Sequence, residues 1–312
     1  MSKNILVTGG AGYLGSVLCT DLINLGFKVT VLDKLDFKKD SLAHLYSNSK
    51  FEFIKGDVRN KKLIKKLLKN KDYIIPLAAL VGAPLCLKKP KETLEINLKS
   101  IIFLVSTIKK NQKIIFATTN SGYGIGEKNK FCDENSDLKP ISLYGQTKVD
   151  AEKIILNNKN SISFRLATVF GFSYRMRTDL LVNSLVELAY QKKKLEIFEP
   201  HFRRNYIHVK DVSSAFIFAI KNFSKMKNNI YNVGLSSANL TKLQLAKKIK
   251  KHLKNVKIKI LKNKKDPDKR DYFVSNKKIE KLGFKTKYDL DRGIKELLNM
   301  YSNGYTKLKN NY

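Results

Sequence analysis

Ile5-Leu6-Val7-Thr8-Gly9-Gly10-Ala11-Gly12-Tyr13-Leu14-Gly15 joins a short apolar, strand-like run to a loop with the spacing Gly9-x-x-Gly12-x-x-Gly15. Glycine at those positions lets the backbone turn tightly and come close to a pyrophosphate, which then rests on the N-terminus of the following helix. Four of the chain's sixteen glycines lie between residues 9 and 15. Their place between a strand and a helical stretch gives the motif the context that a dinucleotide fingerprint needs. Gly9, Gly12, Tyr13, Leu14 and Gly15 are therefore candidate cofactor contacts.

Outward from this loop, apolar runs alternate with helical stretches. Gly12–Leu25 reads as a helix, Val29–Leu32 and Phe51–Ile54 as strands, Leu63–Leu68 as a helix and Tyr73–Leu77 as a strand. A helix near Glu92–Lys109, a strand Lys113–Ala117, a helix Ser142–Leu156 and a strand Ser161–Leu166 continue the series. Such alternation predicts an α/β protein with a doubly wound parallel sheet of the Rossmann kind. After Gly171 the strands shorten, as in Leu195–Phe198 and Tyr206–Val209, and arginines cluster. The expected organisation is a dinucleotide-binding domain over 1–170 and a smaller substrate lobe over 171–300, interleaved with late sheet elements. The Asn- and Lys-rich stretch 301–312 reads as a flexible tail.

Bulk properties narrow the function classes. With 312 residues the chain can bury a substantial core without staples. Cys19, Cys86 and Cys132 are scattered and show no metal-ligand spacing, so no metal is expected and a reducing compartment is. Met1-Ser-Lys-Asn leads straight into the first strand, and the apolar runs are short, so the expectation is a cytoplasmic protein with no membrane partner. The net charge of +34 would draw attention to nucleic acid, but only eight basic residues are arginines and 53 are lysines. These lysines lie along helix-like stretches such as Lys61-Lys-Leu-Ile-Lys-Lys-Leu-Leu-Lys69, the pattern of solvated faces and not of a nucleic-acid patch.

The second strand ends at Asp33, eighteen residues beyond Gly15. A carboxylate near that offset grips the adenosine ribose and repels a 2′-phosphate, which favours NAD over NADP, with Lys34 tempering the choice. Asp57 and Val58 follow the third strand, and Leu77, Ala78 and Ala79 the fourth, at the strand ends where ligands of open α/β sheets lie.

Tyr144 and Lys148 are four apart on a predicted helix and share a face. A fixed ammonium about 4 Å from a phenol supplies roughly the 4 kcal/mol that lowers a tyrosine from about 10 towards neutrality. Tyr-x-x-x-Lys also begins at Tyr46, Tyr190, Tyr206 and Tyr305, so spacing alone is weak in so lysine-rich a chain. Only Tyr144 opens a helix after a loop that follows a central strand, with the hydroxyl cluster Thr118-Thr-Asn-Ser121 upstream.

Taken together, Thr8–Gly15, Asp33, Gly56-Asp57, Leu77-Ala-Ala79, Asn97, Tyr123-Gly124 and Tyr144-x-x-x-Lys148 resemble the extended short-chain dehydrogenases that act on sugar nucleotides, the NAD-dependent epimerase/dehydratase family. The resemblance runs over nearly the whole chain. It implies that Thr119 holds the reacting hydroxyl, that Tyr144 takes its proton, and that Lys148 tunes Tyr144 and binds the nicotinamide ribose. It implies cofactor contacts at Asn97 and a sugar pocket along Val81, Ser121 and Tyr123. It also implies a homodimer built on the helix bearing the tyrosine and the long helix that precedes it.

A narrower resemblance joins Leu77–Cys86, Thr119–Glu127, His201–His208, Leu235–Thr241 and Asp266–Tyr272 to the bacterial GDP-mannoheptose 4-dehydrogenases of capsule-sugar biosynthesis. It implies a nucleotide-sugar substrate, a GDP-heptose, oxidised at C4.

Arginine in a lysine-rich chain marks positions that need a planar, bidentate donor. Arg165, Arg175, Arg177, Arg203 and Arg204 fall within forty residues, and the family pattern singles out Arg204 and Arg270 as diphosphate ligands, with Arg177 a further substrate contact. Related dehydratases carry an acid directly after the catalytic Thr or Ser. Asn120 and Ser121 follow Thr119 here, so oxidation or 4-epimerisation is expected in place of elimination. A protein that only sensed a dinucleotide would not need Thr119, Tyr144 and Lys148 together.

Overall fold

The run Ile5–Val7 lies in an interior strand of a seven-stranded sheet and is fully buried. The strands, all parallel, lie in the order Asn229–Val233, Ser161–Leu166, Lys113–Thr119, Tyr73–Pro76, Asn4–Thr8, Lys28–Asp33, Phe51–Lys55. The computed structural model describes residues 2–37, 40–127, 130–261 and 270–305. Chain order reverses beside the strand Asn4–Thr8, with Lys28–Asp33 on one side and Tyr73–Pro76 on the other. That reversal opens a crevice beyond the C-terminal strand ends.

A parallel sheet must be covered on both faces. On one, Ile5 and Val7 pack with Leu18 and Leu22 of the helix Tyr13–Asn24 and with Val212 and Phe216 of the helix Val209–Lys221. On the other, Leu6 and Phe116 meet Ile64, Leu67, Leu104 and Ile155 from the helices Lys61–Leu68, Ser100–Thr107 and Leu143–Leu156. Burying these aliphatic side chains contributes roughly 1.5–3 kcal/mol each before chain entropy is counted.

The helix expected near Glu92–Lys109 divides into Pro90–Leu94, the π-turn Glu95–Lys99 and Ser100–Thr107. A π-turn holds one residue more than an α-turn and redirects a side chain. Here it presents Asn97, whose Oδ1 accepts from Leu80 N at 2.8 Å and whose Nδ2 donates to Leu80 O at 2.9 Å.

A second core gathers Phe170, Val186, Leu195, Tyr206, Leu245 and Ile294. It carries a small sheet of Thr168–Phe170, Arg203–His208 and Asn239–Thr241, and a pair formed by Lys194–Ile197 and Lys257–Ile260. The chain then returns to the main sheet through Asn229–Val233, paired with Ser161–Leu166. Tyr301, which opens the stretch read as a tail, belongs instead to the helix Leu290–Ser302 and is buried, with its ring stacked on Tyr190. Residues 306–312 lie outside the described residues. No helix of the described residues is long and apolar enough to cross a membrane.

Candidate active site

A cleft of about 360 Å³ follows the crevice at the strand ends. It is lined by Gly9, Gly12, Tyr13, Leu14 and Gly15 of the glycine loop, and by Asp33, Asp57, Val58, Leu77, Ala78 and Ala79 of the next strand ends. Farther along stand Val81, Thr119, Ser121, Tyr144, Lys148, Arg177 and Arg270.

Close packing explains the glycines at the cofactor end. Gly9 has φ of +74°, and a Cβ there would lie 2.6 Å from Ala78 N. A Cβ on Gly15 would lie 2.4 Å from Gly9 O, so any side chain would force the loop open. Gly12 caps the helix Tyr13–Asn24 with no side chain, and no acid sits in its first turn. The helix-terminal amides thus face the cleft without a competing carboxylate, which suits a pyrophosphate. Asp33 accepts from Ala11 N at 3.0 Å and from Leu35 N at 2.8 Å. Burial raises its pKa and these amides oppose the rise. Lys34 turns towards Asp36 and Asp57, at 3.2 and 4.0 Å. The donor set fits a dinucleotide with its ribose at Asp33 and its pyrophosphate at the loop. Asp33→Ala is expected to weaken NAD binding about tenfold, the worth of roughly two hydrogen bonds, and to narrow its advantage over NADP. Fluorescence titrations with NADH and NADPH check this, and an unchanged preference would place the discrimination on another residue.

At the other end Thr119 closes the strand Lys113–Thr119, where its Oγ1 accepts from Ser121 N at 3.1 Å and lies 2.9 Å from Ser121 Oγ. Ser142 caps the helix Leu143–Leu156 by accepting from Gly145 N at 3.1 Å, which fixes Tyr144 in the first turn. Tyr144 and Thr119 line the same end of the cleft, and the Thr119 hydroxyl acts to lower the Tyr144 phenol. Arg270 Nη1 donates to Ser121 Oγ, so Arg270, Ser121 and Thr119 form one connected polar row in the cleft that Tyr144 also lines.

The electrostatics differ from the expectation that Lys148 pulls Tyr144 down. Burial pushes the Tyr144 phenol up to about 12, with the Cys86 thiol adding to the rise. The groups that oppose it are the Arg177 and Arg270 guanidiniums and the Thr119 hydroxyl. Burial likewise drives Lys148 down to about 7, with Glu152 resisting. Its Nζ sits 4.1 Å from the Phe116 ring centroid. Desolvation disfavours both charged forms, so the tyrosinate–ammonium pair is not the resting state of this cleft.

Three candidates stand behind the cleft wall and not in it. Asn97 pins the Leu80 backbone, as described above. The Tyr123 ring is 2% exposed, and its hydroxyl bridges Asp133 O, Asn232 Oδ1 and Arg165. Arg204, 3% exposed, donates to Arg203 O and lies over the Tyr272 ring. Arg203 itself is paired with Asp271 at 2.8 Å. Sequence reasoning passed over Glu152, one helical turn beyond Lys148 on the same face, although that spacing was a visible signal. It also passed over Phe37 and Leu180, which line the cleft. Among the described residues no group of three or more His, Cys, Asp or Glu is placed to hold a metal ion.

Residues 5–234 match the model of the NAD dependent epimerase/dehydratase family. The chain is 29% identical to a putative UDP-glucose 4-epimerase of Methanocaldococcus jannaschii, over 96% of this chain and 98% of that one. It is 27% identical to the bifunctional UDP-glucose 4-epimerase and UDP-xylose 4-epimerase 3 of Arabidopsis thaliana, over 96% and 95%. The UDP-glucose 4-epimerase of Thermotoga maritima, solved with UDP-glucose, superposes with a TM-score of 0.84 at 25% identity, over 97% and 99%.

Proposed function

The chain belongs to the NAD dependent epimerase/dehydratase family, and from that premise we propose that it oxidises the C4 hydroxyl of a nucleotide-activated sugar, a GDP-heptose, to a 4-keto sugar. The observation that carries this reading is that Thr119, Tyr144 and Lys148 line one end of a cleft whose other end holds Asp33.

Bound in the cleft, NAD supplies the acceptor for the hydride that leaves the sugar carbon. The chain's own residues do the rest. Thr119, fixed by Ser121, holds the sugar hydroxyl against Tyr144, and Tyr144, once its own proton has passed to solvent, takes the hydroxyl proton as general base. Arg177 and Arg270 act on the phenol in the direction that proton transfer requires. Lys148 lies in the same cleft to hold the cofactor's ribose. Arg270 donates to Ser121 and lines the cleft where the substrate diphosphate would lie.

The lining of the cleft speaks against elimination. The carboxylates among the described lining residues are Asp33, Asp36 and Asp57, all on the adenosine side, and the residue after Thr119 is the buried amide Asn120. Among the described residues lining the cleft, no carboxylate stands beside Thr119 to protonate a leaving hydroxyl.

The GDP-heptose rests on the likeness of the segments Leu77–Cys86, Thr119–Glu127 and His201–His208 to the GDP-mannoheptose 4-dehydrogenases. A second reading, a 4-epimerase that returns the hydride to the opposite face, draws support from the names of the relatives above. The two diverge after the first hydride transfer. Incubating candidate GDP- and UDP-sugars with enzyme in heavy water, followed by NMR and mass spectrometry, separates them. A ketone hydrate with solvent deuterium beside C4 is the expected result. A clean C4 epimer with no deuterium at the neighbouring carbons would establish the epimerase, and no change in any GDP-sugar would remove the heptose assignment.

A further inference from the structure

Two parts of the chain meet over the adenosine end of the cleft. Phe37 belongs to the loop that leaves Asp33, Arg175 to the segment that opens the second lobe, and both line the cleft. The Arg175 guanidinium lies over the Phe37 ring, with Cζ 4.5 Å from the ring centroid. Arg175 is 3% exposed while Phe37 is 38% exposed, so the aromatic ring forms the outer plate and the cation lies beneath it.

Local bonds hold Arg175 against the cofactor loop. Ser173 Oγ donates to Tyr13 O at 2.6 Å and lies 3.0 Å from Ser16 Oγ, which accepts from Arg175 N at 3.4 Å. Ser16 is in the first turn of the helix whose N-terminus suits a pyrophosphate. Burial and the neighbouring Arg177 bring the Arg175 guanidinium down to about 10, with Asp179 and Asp33 resisting. A poorly solvated guanidinium of this kind gains from a phosphate, to which its fork of donors is matched. Stacking on an aromatic face strengthens as the cation loses water.

We propose that Arg175 and Phe37 form a clasp across the dinucleotide cleft. Arg175 is a ligand of the cofactor's pyrophosphate, and Phe37 holds the guanidinium in place and has to swing aside before the cofactor leaves. These are positioning residues for the cofactor and stand outside the Thr119–Tyr144 proton path. The inference rests on the cofactor lying in this cleft and is independent of the sugar.

The test loads the enzyme with NADH, mixes it with excess NAD in a stopped-flow instrument and follows release by the loss of bound-NADH fluorescence. Phe37→Ala and Arg175→Lys are each expected to speed release about tenfold, the scale of a lost stacked or bidentate contact. The double variant is expected to release within about twofold of the faster single variant, because one device cannot be removed twice. Release within about twofold of the parent in either single variant, or accelerations that multiply in the double, overturns the clasp. Melting curves of the ligand-free proteins accompany the measurement. Phe37 is partly exposed, so faster release from a Phe37→Ala protein that melts with the parent is not a folding effect. No sugar is present, so the outcome does not depend on whether the substrate assignment survives.

Discussion

Tyr144→Phe is expected to lower kcat about 10³-fold while leaving NAD affinity within a few fold, because a positioned general base contributes roughly 10²–10⁴-fold. The variant removes one oxygen and keeps the half-buried ring in the first turn of the helix Leu143–Leu156. Adenosine contacts at Asp33 and the glycine loop stay intact. No other phenol in the cleft substitutes for it. Tyr13 also lines the cleft, but its hydroxyl donates to Gly171 O at 2.7 Å, and burial pushes it well above the usual tyrosine range. The pH profile adds a second readout. The Tyr144 phenol is raised to about 12 in the ligand-free protein, so at neutral pH the proton is on it, and the base-dependent rate climbs with pH towards the value set by the loaded site. That climb should vanish in Tyr144→Phe. A variant that keeps both its rate and its climb would remove Tyr144 from the proton path.

How much of this was legible in the sequence depends on how local the cause is. The glycine loop was readable because a strand, a turn that excludes Cβ atoms and a helix succeed one another within Ile5–Gly15. Tyr144 could be separated from Tyr46, Tyr190 and Tyr206 because their settings differ along the chain. The structure places Tyr190 in the last turn of the helix Leu181–Lys192, and Tyr206 inside the strand Arg203–His208. The seventh strand, Asn229–Val233, was not readable as sheet, because its pairing with Ser161–Leu166 joins residues nearly seventy positions apart. Arginine roles were hidden for the same reason. Arg203 finds Asp271 and Arg204 finds Tyr272, partners that only the folded chain supplies. Tyr123 shows the limit most sharply, since a residue in a glycine-rich loop gives no sign of which way its ring turns. The structure turns it inward, against Tyr272, where it braces the loop that carries Ser121.

That brace leads to Arg165→Met, which is expected to cost about 3–5 kcal/mol of stability, the usual consequence of leaving one half of a buried ion pair behind. Arg165 and Glu152 have side chains 5% and 3% exposed and approach to 2.7 Å. Glu152 also accepts from Ser163 Oγ at 2.8 Å, and Arg165 Nη1 donates to Tyr123 Oη at 3.1 Å and to Glu134 O at 3.2 Å. One guanidinium thus ties the helix carrying Tyr144 and Lys148 to the loop carrying Ser121. Glu152→Gln should cost a similar amount and, in addition, strip Lys148 of the carboxylate that resists its descent. The double variant Glu152→Gln/Arg165→Met leaves no uncompensated charge, so its loss should fall short of the sum of the singles by at least about 1 kcal/mol. Urea unfolding of the four proteins measures this. Strict additivity would mean that the two side chains contribute separately to packing, and the link between the catalytic helix and the Ser121 loop would then have to run through the Tyr123 ring alone.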